Sequence, residues 1–109
     1  MNVEKLKFEL NILFGKQIVF NKEFDNYAQT IKNLDENLLE WCKRVKNQEL
    51  PPAYPKKAKE SVVFIKKIGS SNRCIVIKIK NGIFSEIHLG DHNYYDKLRK
   101  RLGLKEDSI

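Results

Sequence analysis

The sequence predicts an α+β domain in which a helical hairpin packs on a small antiparallel sheet and a short C-terminal helix closes the chain. Three observations carry this. Apolar residues recur at helical spacing in the first half, β-branched runs broken by turn residues fill positions 61–89, and a capped amphipathic segment follows. With 109 residues, 41% apolar and 32% charged, the chain suits one core and one domain spanning residues 1–109.

Residues 3–14 fit two patterns. Leu6, Leu10, Leu13 and Phe14 make a helical stripe, whereas Leu6, Phe8, Leu10 and Ile12 alternate as in a strand; a helix ended by Gly15 is the preferred reading. Gln17-Ile18-Val19-Phe20 reads as a short strand, with Asn21 as N-cap of a helix carrying Phe24, Tyr27, Ala28, Ile31 and Leu34. Asp35 is placed to cap a second helix striped by Leu38, Trp41, Cys42 and Val45, which stops before Leu50-Pro51-Pro52. The two helices are expected to form an antiparallel pair, with Trp41 in its core. Residues 51–60, rich in Pro and Lys, read as a basic loop.

Three strands follow: residues 61–68, 73–80 and 83–89. Asn81-Gly82 predicts a two-residue type I′ hairpin, because that turn needs positive φ at both central residues. Such a turn pairs Lys80 with Ile83, Lys78 with Ser85, Val76 with Ile87 and Cys74 with Leu89. On the other face Ile79 meets Phe84, Ile77 meets Glu86, Ile75 meets His88, and Arg73 lies diagonal to His88. Gly90 to Asn93 is a turn, Asn93 is placed to cap a helix running to Leu102, and Gly103 ends it with Leu104 packing back.

The formal net charge is +7, and its distribution is uneven. Residues 1–55 carry eight basic and eight acidic side chains, whereas residues 56–105 carry 13 basic and four acidic; the tail Glu106-Asp107 restores the total. A segregated positive field attracts polyanions through sequence-independent phosphate contacts. No apolar run reaches the ~20 residues a bilayer requires, and the first residues lack the order of a secretory signal, so no membrane partner and a cytoplasmic home are expected. Cys42 and Cys74 lack metal or redox spacing and read as reduced core thiols.

The predicted register gathers Arg73, His88, His92, Tyr94 and Tyr95 at one end of the hairpin. Attack of a ribose 2′-oxygen on the adjacent phosphorus needs a base, a cation for the growing negative charge and an acid for the leaving 5′-oxygen. Histidine titrates near neutrality and the arginine fork matches a phosphate, so neither a metal nor another cofactor is called for. His88, Asp91 and His92 make a poor metal set, because Gly90 disfavours the helix that a His-x-x-x-His pair needs to converge. Tyr95 is in phase with Leu98 and Leu102 and is expected to be packed, leaving Tyr94 as the exposed ring. Lys56 and Lys57 in the loop, Lys66 and Lys67 on the first meander strand, and Lys97, Arg99, Lys100 and Arg101 on the last helix are the candidate substrate-binding cations.

A strand, a helical pair and an antiparallel meander, with the stretch Asn72-Arg73-Cys74-Ile75-Val76-Ile77-Lys78-Ile79-Lys80-Asn81-Gly82-Ile83, resemble the RelE/ParE superfamily of toxins. The segment from Ile87 through His88, Gly90 and His92 to Tyr94-Tyr95 is similar in place to that family's Gly-His-Arg and terminal Tyr, although no Arg follows either histidine. The resemblance covers residues 17–102 and implies a metal-independent endoribonuclease that cuts mRNA, commonly on the ribosome, and forms an oligomer with a cognate acidic antitoxin. It further implies Arg73 as the transition-state cation and Tyr94 or Tyr95 as the terminal tyrosine; His88 and His92 are base and acid in either order. A gyrase-inhibiting ParE-like toxin and a non-enzymatic nucleic-acid-binding module are the alternatives.

Overall fold

A computed structural model describes residues 2–105; the acidic pair Glu106-Asp107 lies outside the described residues. The chain is α+β, with four helices and a four-stranded mixed sheet among the described residues. In order the elements are α1 (Val3–Phe14), β1 (Val19–Phe20), α2 (Phe24–Thr30), α3 (Leu34–Lys46), β2 (Ser61–Ile68), β3 (Asn72–Ile79), β4 (Phe84–Asp91) and α4 (His92–Leu102). The sheet order is β1-β4-β3-β2. Strands β2, β3 and β4 form the antiparallel meander expected from the sequence, and β1 joins β4 in parallel, which makes the sheet mixed.

Period-2 alternation sends the strand residues into two cores. Phe64, Ile68, Cys74, Val76, Ile87 and Leu89 face a helical layer, where they meet Leu6, Leu10 and Phe14 of α1, Phe24 and Ala28 of α2, and Leu38, Trp41, Cys42 and Val45 of α3. Val63, Ile75 and Ile77 face the other way and are covered by Tyr95, Leu98 and Leu102 of α4, with Leu104 just beyond it. Both cysteines are buried and free, and burial pushes both thiols up from their usual range, which keeps them protonated and inert. α3 lies against α1 rather than folding back on α2, so the expected pairing of α2 with α3 is replaced by α1 with α3. The physical reason is that α2 is short, at seven residues, while α1 offers the longer apolar stripe.

Local caps differ from the sequence expectations at several helix starts. α1 starts at Asn2, whose side chain accepts from the Lys5 N–H at 3.1 Å, and ends at Gly15 with φ of 109°, as predicted. Asn33, in the left-handed conformation, precedes α3, and Asp35 lies inside its first turn rather than capping it. α4 begins earlier than expected: Asp91, not Asn93, accepts from the Tyr94 N–H at 2.8 Å. Asn21 does not cap α2 either. Its Nδ2 donates to the Leu89 carbonyl and its Oδ1 accepts from the Leu89 N–H, both at 3.0 Å, while its own N–H donates to Ile87 O at 3.2 Å. A side-chain amide thus continues the parallel ladder where the backbone of β1 stops.

The β3–β4 hairpin keeps the predicted pairs Cys74–Leu89, Ile75–His88, Val76–Ile87 and Ile77–Glu86. The turn itself is different. Only Asn81 takes positive φ, Ile79 N–H donates to Ile83 O, and the loop holds three residues rather than two. A bulge beside Ile77 and Lys78 absorbs the extra residue: Lys78 pairs with Phe84, and Ser85 Oγ donates to Ile77 O at 3.1 Å. Phe84 therefore joins the helical-layer core and meets Phe14, instead of facing Ile79 on the opposite side.

Residues 51–57 are more than a loop. Ala53 exchanges backbone hydrogen bonds with Val63 at 2.7 and 2.9 Å, and the Lys56 and Lys57 N–H groups donate to Gly103 O and Leu102 O. This segment covers the free edge of β2 and ties it to the end of α4. Gly103, with φ of 75°, is required here, since a Cβ would stand 2.9 Å from Lys57 N.

Asn21→Ala leaves the Leu89 N–H and C=O without their side-chain partners. We expect a loss of about 2–3 kcal/mol in unfolding free energy, seen as a lower urea midpoint at unchanged m-value.

Candidate active site

β4 is the strand that builds the site. Its alternation places Glu86, His88 and Gly90 on the face covered by α4, with Ile87 and Leu89 turned into the opposite core. Asp91 then caps α4 and starts the helix at once, which brings Tyr94 back over the strand it has just left. A Cβ on Gly90 would lie 2.6–2.7 Å from Cδ1, Cβ and Cγ of Tyr94, so the missing side chain is the space in which the tyrosine ring sits.

The result is a three-residue hydrogen-bonded chain. His88 Nδ1 is 2.7 Å from the Tyr94 hydroxyl and Nε2 is 2.9 Å from Glu86 Oε1. The hydrogen bond from His88 holds the Glu86 carboxyl below its ordinary range, with the charges of His88 and Arg101 acting the same way against partial burial. An ionised Glu86 accepts from Nε2–H, which leaves Nδ1 as the acceptor of the Tyr94 O–H in the neutral imidazole. Burial raises the Tyr94 phenol, while a hydrogen bond with Asn21 and the charge of Arg101 pull it back. His88 is buried, whereas Glu86 keeps 42% of its side-chain exposure and Tyr94 is half-buried, so the chain runs inward from the carboxylate. Tyr27 lies beside the same ring, 6.5 Å between centroids. Carboxylate, imidazole and hydroxyl in that order form an arrangement for orienting an imidazole and moving a proton at the hydroxyl oxygen.

The other predicted residues are distributed around this chain. Arg73 pairs with Gly90 one position along from His88 on the same face, as the register predicted. Its guanidinium, however, is buried against the Tyr95 ring at 5.8 Å, and Nη1 donates to the Asn72 carbonyl at 3.0 Å. Tyr95 is buried as expected and belongs to the α4 core. His92 is exposed in the first turn of α4, and no hydrogen bond joins it to His88.

The candidate cations divide by structural role. Arg101, exposed two turns beyond Tyr94, is the one whose charge reaches both Glu86 and Tyr94. Arg99 is clipped to Asp96 at 2.7 and 3.1 Å and to Leu104 O, and Lys100 pairs with Asp96 at 3.2 Å. Lys97 is exposed on α4, Lys56 and Lys57 are exposed at its far end, and Lys57 Nζ reaches Lys100 O. Lys67 is exposed opposite Arg73, whereas Lys66 takes the helical-layer parity and its charge acts on the two buried thiols. Lys66 is thereby separated from the His88 chain by the sheet. Glu86, Gly90 and Asn21 were the residues that sequence reasoning passed over. The first had a signal, because alternation alone puts Glu86 two residues from His88 on one face.

Among the described residues no group of three metal-ligating side chains is present and no helix is long and apolar enough to cross a membrane. No protein-family model, curated protein or solved structure matches this chain, so a functional reading rests on the site.

Gly90→Ala drives a methyl group into the Tyr94 ring. We expect the phenol–imidazole hydrogen bond to break, seen as a shift of the His88 Nδ1 resonance, with a stability loss of about 1–3 kcal/mol. Glu86 has its folded-state pKa lowered, so its contribution is present above the unfolded value and disappears as pH falls through the folded one. Glu86→Gln is therefore less stable than the parent near neutrality by at most about 1 kcal/mol, given the exposed carboxylate. That gap closes on acidification below the ordinary value of 4.5, in urea melts across the acidic range.

Proposed function

We propose that this chain is a RelE-type toxin, a metal-independent endoribonuclease that cleaves mRNA by attack of a ribose 2′-oxygen on the adjacent phosphorus. The observation that carries the reading is the Glu86–His88–Tyr94 chain, which backs a phenol oxygen with an oriented imidazole. The 2′-hydroxyl proton passes to the Tyr94 oxygen as the phenol proton passes to His88 Nδ1, and Glu86 stabilises the imidazolium that forms; the 2′-oxygen bonds to phosphorus as the P–O5′ bond breaks, giving a 2′,3′-cyclic phosphate, and solvent water protonates the departing 5′-oxygen. Arg101, rather than the sequestered Arg73, is the side chain assigned to the negative charge growing on the phosphate oxygens. Lys67, Lys97, Lys56 and Lys57 extend the positive surface along which a single strand would lie.

Partners follow from the same reading: an mRNA, in the ribosomal setting common to toxins of that type, and an acidic antitoxin that neutralises the basic half. A second reading, a nucleic-acid-binding module without catalysis, draws its support from Arg73, whose guanidinium is held on Tyr95 rather than offered to a phosphate.

The deciding experiment is induced expression of the parent chain, His88→Ala, Tyr94→Phe and His92→Ala, followed by mapping of transcript 5′ ends. We expect growth arrest and new 5′ ends with the parent and with His92→Ala, and at least about a hundredfold drop in cleavage in the other two. Arrest with DNA breaks and no new ends would replace this reading with gyrase inhibition; undisturbed growth would leave the binding module.

A further inference from the structure

The face of the sheet opposite the His88 chain carries a second basic and aromatic feature. A groove of about 500 Å³, within the usual ~300–1,000 Å³ of small-ligand sites, is bounded by Tyr54, Phe64, Lys78, Lys80, Gln48 and Asn81 among others. Among the described residues no carboxylate lines it. Tyr54 is 66% exposed, an unusual placement for a large ring in a covering segment. It is not loosely placed, because the Ala53–Val63 backbone bridge fixes the residue before it.

The lysines lining this groove, Lys78 and Lys80, and Lys46, which shares the Phe84 ring with Lys78, rest on aromatic rings. Lys80 Nζ stands 5.8 Å over Tyr54, and Lys78 and Lys46 stand 5.4 and 5.7 Å over Phe84. Among the described residues none of the three forms an ion pair. Cations without anionic partners beside a fixed, exposed ring are what a nucleotide needs: a π-face for the base, charge for the phosphate, and the amides of Gln48 and Asn81 for the base edge. An acidic peptide would use the lysines but has little use for the exposed side of the Tyr54 ring.

We propose that this groove is a nucleotide-binding subsite for single-stranded RNA, with a base stacked on Tyr54 and its phosphate held by Lys78 and Lys80. The proposal rests on the reading of RNA as substrate and adds an anchoring point away from the reacting phosphate. Such an anchor raises affinity for the strand without entering the chemistry, so it acts on binding rather than on the cleavage step.

The test is fluorescence anisotropy of a labelled oligouridylate with the parent chain, Tyr54→Ala, Tyr54→Phe and Lys78→Ala/Lys80→Ala, with circular dichroism to verify folding. We expect Tyr54→Ala to weaken binding about tenfold and Tyr54→Phe to retain it, as stacking needs the ring and not the hydroxyl. The double lysine variant should flatten the slope of log affinity against log salt by about 0.7 for each phosphate that is no longer neutralised. Unchanged binding by Tyr54→Ala, or no oligouridylate binding by the parent, overturns the proposal. So does an oligoglutamate that binds as tightly with the same dependence on Tyr54, which would assign the groove to an acidic peptide. Tyr54-dependent binding without transcript cleavage would remove the ribonuclease reading and leave the subsite standing; cleavage with Tyr54-independent binding would do the reverse.

Discussion

The pairing of β3 with β4 is the constraint on which the rest of the molecule depends. Along these central strands every second side chain must find cover on one face and every other on the opposite face, because both are lined with apolar residues. Val76 and Ile87 require the helical layer; Ile75 and Ile77 require α4. One helix at the end of the chain is thus as necessary to the sheet as the three that precede it. The Asn21 clamp and the Ala53 bridge complete the arrangement by occupying backbone groups that β4 and β2 would otherwise leave open.

That two-sided burial also produces the polar cluster. Beneath α4 the apolar core is small, and β4 contributes Glu86 and His88 to it rather than two aliphatic residues. A buried imidazole is tolerable only if both nitrogens are satisfied, and here Glu86 and Tyr94 satisfy them. The cost of placing polar groups at this position is offset by their mutual hydrogen bonds, and those bonds fix the direction in which a proton moves. Gly90 is what permits it: a glycine in the strand lets a helix begun at Asp91 return its third residue onto the strand's own face.

Much of this was legible in the sequence. The register of the hairpin core was read from a two-residue Asn81-Gly82 turn, and its pairs and the shared face of Arg73 and His88 hold because the bulge at Ile77/Lys78 offsets the longer loop. Helical stripes placed Leu6, Leu10, Trp41 and Cys42 in a core. The type I′ turn was not realised, because Asn81 alone takes positive φ and a bulge near Ser85 restores the register further along. Caps were misplaced wherever two polar residues competed, as at Asn33 against Asp35 and Asp91 against Asn93. Local sequence ranks such candidates as equals, and only the backbone path selects between them. Arg73 was located correctly and its surroundings were not, since its stacking on Tyr95 depends on how α4 crosses the sheet.

By itself the sequence determined the element types, the antiparallel meander, the burial of both cysteines and the segregation of positive charge, all of which follow from periodicity and composition within short windows. The tertiary structure decided what no window contains: that β1 adds in parallel beside β4, that α3 packs on α1, and that the Arg73 guanidinium lies against the Tyr95 ring. Those outcomes depend on contacts between segments far apart in the chain, where the energy of covering both faces of the sheet outweighs any local preference.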